Sequence, residues 1–149
     1  MIQRKQTVYL AIAVALSLIC LCSPIGRFCG ETLNTTVEYN LWIVNQATGQ
    51  KFFSTWPLFA ILVLSTALGV CSILMYHNRI AQSRICTFAM MLLVGWYLVY
   101  AVLSKLLGMG LFTPSWQAFL PALSIVLYFM SRKAIIADER LVRAADRIR

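Results

Sequence analysis

Long apolar runs separated by short polar breaks dominate the chain. Four runs carry no charged residue, 7–25, 57–76, 85–104 and 112–131, each 19 or 20 residues long. A helix of that length spans roughly 30 Å, the hydrocarbon thickness of a bilayer. Membrane strands would be about half as long and would alternate, which excludes a β-barrel. The pattern predicts an all-α membrane protein, a four-helix transmembrane bundle. Between the first two runs, 26–55 forms the largest segment outside lipid. There Val37, Tyr39, Leu41 and Ile43 alternate with Glu38, Asn40 and Trp42, Thr48 and Gly49 supply a turn, and Phe52 and Phe53 begin a return. This predicts a small β-hairpin in the outer loop. After the fourth run, Ala134, Ala137, Leu141, Ala144 and Ile148 are spaced 3-4-3-4, a narrow stripe on an amphipathic C-terminal helix.

Within the runs, Ala11 with Ala15, Ser65 with Gly69, and Ala118 with Ala122 are small residues four apart, which let helices approach closely. Ser54 or Thr55 is placed to cap the second helix, with Pro57 in its first turn. Pro121 lies inside the fourth run and predicts a kink.

Composition agrees with the pattern: 60% of the 149 residues are hydrophobic and 12% are charged, about half the charge usual for a soluble domain. The thirteen basic residues divide unevenly. Arg4, Lys5, Arg79, Arg84, Arg132, Lys133, Arg140, Arg143, Arg147 and Arg149 fall on one side of the expected membrane; Arg27, Lys51 and Lys105 fall on the other. The positive-inside rule then places both termini in the cytoplasm. The net charge of +8 faces anionic lipid and gives no reason to invoke nucleic acid. Arg4 and Lys5 before an apolar run resemble a secretion signal, but the run is long and lacks a suitable cleavage site, so it reads as an anchor. The expected organisation is a four-span membrane domain over 1–131 and a cytoplasmic helical tail over 132–149.

No catalytic constellation stands out. The charge-free runs lack the midplane acids and bases that ion-coupled carriers use. Trp96, Tyr97, Tyr100 and Gln117 are the candidates for a lipid or quinone cavity between the third and fourth spans; packing with hydrogen-bonded hydroxyls is the plainer reading. His77, the single histidine, has no ligand-spaced neighbours, so neither a metal site nor a cofactor is expected. The five cysteines include no C-x-x-C pair; Cys22 and Cys29 both fall near the outer side, where a disulfide between them would tie the loop start to the first span. The sequon at Asn34 reads as a chance occurrence.

The tail carries the functional expectation. Regular spacing with mixed charge favours pairing with protein over lipid, because Asp138, Glu139 and Asp146 oppose anionic lipid. Its partner-binding candidates are Arg4, Asp138, Glu139, Leu141, Arg143, Asp146 and Arg147, with Arg4 expected to pair with Asp138 or Glu139. The ends "MIQRKQT" and "DERLVRAADRIR" resemble a domain-of-unknown-function family of small four-span membrane proteins from Bacteroidota. Its members open with M-x-Q-R-x-Q-T and close with D-E-x-L-V-R-x-x-D-R-[IL]-R. The resemblance implies a bacterial inner membrane and supplies no substrate. The expected function is a non-enzymatic membrane subunit or scaffold surrounded by lipid. Its tail would engage a membrane or cytoplasmic protein or a second copy. A small transport or lipid- and quinone-handling protein is the alternative.

Overall fold

The computed structural model describes residues 2–29, 35–75, 78–107 and 111–146, with side chains from Gln6 onward except those of 143, 145 and 146. It holds four helices and five strands. Helix α1 covers Ile2–Cys22, α2 Trp56–Leu74, α3 Arg79–Leu106 and α4 Leu120–Asp146, the last led in by a 3-10 turn over Trp116–Phe119. Strands β1 (Pro24–Cys29), β2 (Thr35–Tyr39), β3 (Ile43–Asn45), β4 (Lys51–Phe52) and β5 (Leu111–Pro114) form one antiparallel sheet in the order β4-β3-β2-β1-β5.

Two findings correct the expected all-α four-span bundle. First, among the described residues three helical segments are long and apolar enough to cross a membrane, Trp56–Leu74, Arg79–Leu106 and Trp116–Val142; the apolar part of α1, Gln6–Cys22, is shorter. The charge-free run 7–25 is shared between a helix and a strand. Pro24 disfavours helical backbone in Ser23 before it, so the chain leaves the helix and enters β1. Apolar composition alone does not mark that boundary. Second, the hairpin is part of a five-stranded sheet. The tail continues the fourth helix directly, α4 running unbroken through 132–146.

The sheet's origin lies in Asn40. The alternating stretch 37–43 suggests one strand, yet β2 and β3 are two strands folded back on each other, with Val37 opposite Val44 and Glu38 opposite Ile43. The reversal spans Tyr39 to Trp42, closed by the Tyr39 amide on the Trp42 carbonyl at 2.9 Å. Asparagine is a common turn residue, and period two continues through the turn, which hides it. The Thr48–Gly49 turn does form, with Gly49 at φ 68° and β4 beginning the return at Lys51. Strand β1 is bulged between Pro24 and Gly26, and its second neighbour is β5 from the α3–α4 connection. That pairing uses "LFTP", of which residues 112–114 open the fourth apolar run.

Helix α1 packs on α2 and α4, and α3 packs on the same two. Leu10, Leu58, Leu62, Leu93, Trp96 and Tyr128 are fully buried between them. Outward lie large apolar side chains such as Phe88, Met91, Leu98 and Phe129, the surface a bilayer would cover. Of the expected close approaches, Gly69 is the tightest: a β-carbon there would lie 2.7 Å from Val14 Cγ2 and would also strike the Tyr128 hydroxyl. Ser65 is buried and donates to the Ala89 carbonyl at 3.2 Å. Ala11 and Ala15 are exposed instead, and Ala13 takes the buried position on α1.

Two local expectations also change. Thr55 does not cap α2 with its side chain; its hydroxyl donates to the Tyr39 carbonyl at 2.9 Å and ties the helix start to the sheet. Pro121 is the second residue of α4. There a missing N–H costs little, and the kink expected deep in a span becomes a start.

Candidate functional site

The sheet lies at the end of the bundle where α1 and α3 finish and α2 and α4 begin. Helix ends leave carbonyl and amide groups without intrahelical partners, and the sheet end is built to meet them. Asn40, fully buried, donates from Nδ2 to the Cys20 carbonyl in the last turn of α1 at 2.7 Å. Its Oδ1 accepts from Trp96 Nε1 on α3 at 3.1 Å. Tyr100 donates to the Ile25 carbonyl on β1 at 2.8 Å. Its ring stacks on Trp96 with centroids 5.1 Å apart and meets Phe112 of β5 edge-on.

Tyr97 sits at the α3–α4 junction. Its hydroxyl donates to the Ala118 carbonyl at 2.6 Å and accepts from the Ala122 amide at 2.9 Å. In an uninterrupted helix that amide would bond that carbonyl directly. Trp96, Tyr97 and Tyr100 are therefore brought together, but their polar atoms are spent on the protein's own backbone and on Asn40. Gln117, the neighbour of Ala118 in the chain, accepts no hydrogen bond from them at its Oε1. It is half-buried beside a hollow of about 310 Å3, and its Oε1 has no hydrogen-bond partner among the described residues.

Beneath the same aromatics lies Glu38, which the alternation assigns to the polar face. It is fully buried, and neither carboxylate oxygen has a partner among the described residues. Gly26 lies opposite on β1, where a β-carbon would stand 3.2 Å from Glu38 Oε2 and only 2.5 Å from the Phe112 ring. Burial pushes the Glu38 carboxyl up to about 7, because water no longer stabilises the charge. The signal in the sequence was its rarity: Glu38 is one of five acids, and it sits within a β-branched and aromatic stretch.

The opposite end carries the tail. Asp138 is paired with Arg79 of α3, 2.6 Å apart. Beyond that pair, Leu141 is 61% and Val142 46% exposed, and Arg140 is exposed as well. Glu139 is half-buried. The side chains of Arg4, Arg143 and Asp146, and the whole of Arg147, His77 and Asn34, lie outside the described residues. Arg132 is half-buried and close enough to Cys86 to act on it electrostatically, while Lys133 is exposed. Cys22 and Cys29 are both exposed free thiols. No group of three metal-ligating side chains comes together among the described residues.

One family model matches residues 2–148, and its description is a domain of unknown function, DUF4293. No curated protein matches the chain.

Proposed function

The chain belongs to the DUF4293 family, which has no activity to pass on, and we propose that it is a non-catalytic membrane subunit whose C-terminal helix engages a partner protein or a second copy. One observation carries the reading. Past the Arg79–Asp138 pair, α4 continues as helix and presents Leu141 and Val142 to the outside. A helix that runs on from a packed bundle needs no new nucleation. Adjacent exposed apolar residues among charges suit a facing helix better than bulk water.

The setting we propose is a bacterial inner membrane, after the end motifs, with the sheet outside and the tail in the cytoplasm. The charge distribution supports this orientation. Arg79, Arg84, Arg132, Lys133 and Arg140 cluster at the tail end, while Arg27 and Lys51 lie on the sheet. The rival cavity reading is weaker, since Trp96, Tyr97 and Tyr100 are occupied by internal bonds and stacking.

The test is the mass of the gently solubilised assembly. Wild type should run above the single chain, and Leu141→Asp with Val142→Asp should return it to 16.8 kDa plus detergent with unchanged thermal stability. Protein identification of the larger species separates a partner from a second copy. An assembly of the same mass with and without the two aspartates refutes the reading.

A further inference from the structure

Glu38 has no group to receive its charge. It is fully buried, and neither oxygen has a hydrogen-bond partner among the described residues. The titratable groups near it are Tyr100 of α3, which feels its charge, and Cys20 of α1, which acts on Tyr100 in turn. Both are ordinarily neutral. From β1, β3 and β5 the facing residues are Gly26, Ile43 and Phe112. Arg27, which follows Gly26, is opposite Val37 and Thr113 and belongs to the other face of the sheet. No cation among the described residues offsets the burial, so an ionised Glu38 must draw in water.

The path for that water is short on one side. Across the sheet, Glu38 has the fully buried Ile43 of β3 on one hand. On the other it has Gly26, which lacks a side chain, and beyond Gly26 the edge strand β5. The space over Gly26 is filled by Phe112 of β5: a β-carbon there would stand 2.5 Å from that ring and 3.2 Å from Glu38 Oε2. Phe112 is thus the cover on the carboxyl. Its strand is weakly held. It is four residues long, pairs on one side only, and leaves Leu111, Thr113 and Pro114 exposed. Segments with few buried contacts open first.

We propose that β5 is a pH-operated latch, which closes over protonated Glu38 and lifts from β1, taking Phe112 with it, when the carboxyl ionises. Under the closed latch the carboxyl titrates at about 7, against an ordinary value of 4.5 once water reaches it. The closed state is therefore the one that holds the proton. Opening gains about tenfold for each pH unit between the two values and levels off above about 7. Acid locks the latch. Which compartment's pH it answers to rests on the orientation proposed above; the latch itself does not.

Amide hydrogen exchange of the full chain in detergent tests it, since both ends then meet the same pH. Rates are corrected for the intrinsic pH dependence of exchange. From pH 5 to pH 8, protection of the amides of Leu111, Phe112, Thr113 and Ser115, the last bound to the Ile25 carbonyl, should fall at least tenfold. Those of Ile43–Asn45 and of α2 should hold. Glu38→Gln is neutral at every pH and should keep β5 equally protected at both; Glu38→Met, which brings no amide to satisfy, should do the same. Equal wild-type protection at pH 5 and pH 8 overturns the proposal. So does a loss shared by β3 and α2, which is global loosening, or the same loss in both neutral variants, which removes Glu38 as its cause.

Discussion

The hydroxyl of Tyr97 stands inside the backbone ladder of α4, taking the amide of Ala122 at 2.9 Å and passing its own proton to the Ala118 carbonyl at 2.6 Å. Pro121 explains the opening. Its ring crowds the carbonyl four residues back, and it offers no N–H of its own. The helix therefore begins with a 3-10 turn, and a side chain from α3 fills the gap.

Tyr97→Phe should accordingly destabilise the protein by about 1–3 kcal/mol, since it leaves a donor and an acceptor unpaired. Pro121→Ala allows the ladder to close, so the Tyr97→Phe cost should shrink in that background. A double-mutant cycle read by thermal unfolding in detergent measures the coupling. Strict additivity would show that the hydroxyl and the proline act separately.

Glu38 makes stability depend on pH, and the sign is fixed by its raised value. The carboxyl titrates at about 7 in the fold against an ordinary value of 4.5. Below the ordinary value, both folded and unfolded chains hold the proton. Between the two values the folded chain alone holds it, so stability falls as pH rises. Above about 7 the loss is complete and is of order 3 kcal/mol. Glu38→Met keeps the volume and removes the charge. It should melt well above wild type at pH 8, with the gap closing towards pH 4.5. A gap of equal size at both pH values would mean that titration of Glu38 has no part in it.

The helices were legible in the sequence and the sheet largely was not. Apolar runs of 19 or 20 residues mark α2, α3 and the membrane part of α4, because helix length in a bilayer is set by thickness. Strands β1 and β5 are apolar too and sit at the ends of two such runs, so hydropathy merges them with helices. Their pairing is long-range: Phe28 lies opposite Phe112, and their rings are 4.8 Å apart. Asn40 shows the same limit. Its alternation with apolar neighbours suggests an outward residue. Its true position follows from groups that local pattern does not reveal, the orphan carbonyl of Cys20 and the indole of Trp96. Trp96, Tyr97 and Tyr100 stand out as a cluster in the sequence, but Trp96 and Tyr100 bond to the sheet end and Tyr97 to the start of α4, partners that local pattern does not reveal.

Close approach of helices gives a third prediction. Gly69→Ala places a methyl group against Val14 and the Tyr128 hydroxyl, which should cost about 1–3 kcal/mol through overpacking. The Tyr128 hydroxyl is buried with no partner among the described residues, so Tyr128→Phe removes a desolvated polar group and should be neutral or stabilising. The pair of substitutions together should recover part of the Gly69→Ala loss, the remainder coming from Val14. If Tyr128→Phe alone lowers the melting temperature as much as Gly69→Ala does, the hydroxyl holds a partner and this account of the site is wrong.

The Arg79–Asp138 pair decides how firmly the tail is held. Its side chains are 27% and 13% exposed, between the nearly worthless surface pair and the costly buried one. Removing one partner should therefore destabilise by about 1–2 kcal/mol. The local effect should be larger than the global one, because beyond Asp138 the helix leaves the bundle with Leu141 and Val142 exposed. Asp138→Asn should speed tryptic cleavage at Arg140 several-fold while the melting temperature falls only slightly. Reversing both charges, Arg79→Asp with Asp138→Arg, should restore the slow cleavage, whereas either reversal alone should be worse than Asp138→Asn because it sets like charges together. Moderate salt should change wild-type cleavage little, since a partly buried pair is weakly screened. Cleavage at the same rate in wild type and both single reversals would show that the Arg79–Asp138 pair does not hold the tail.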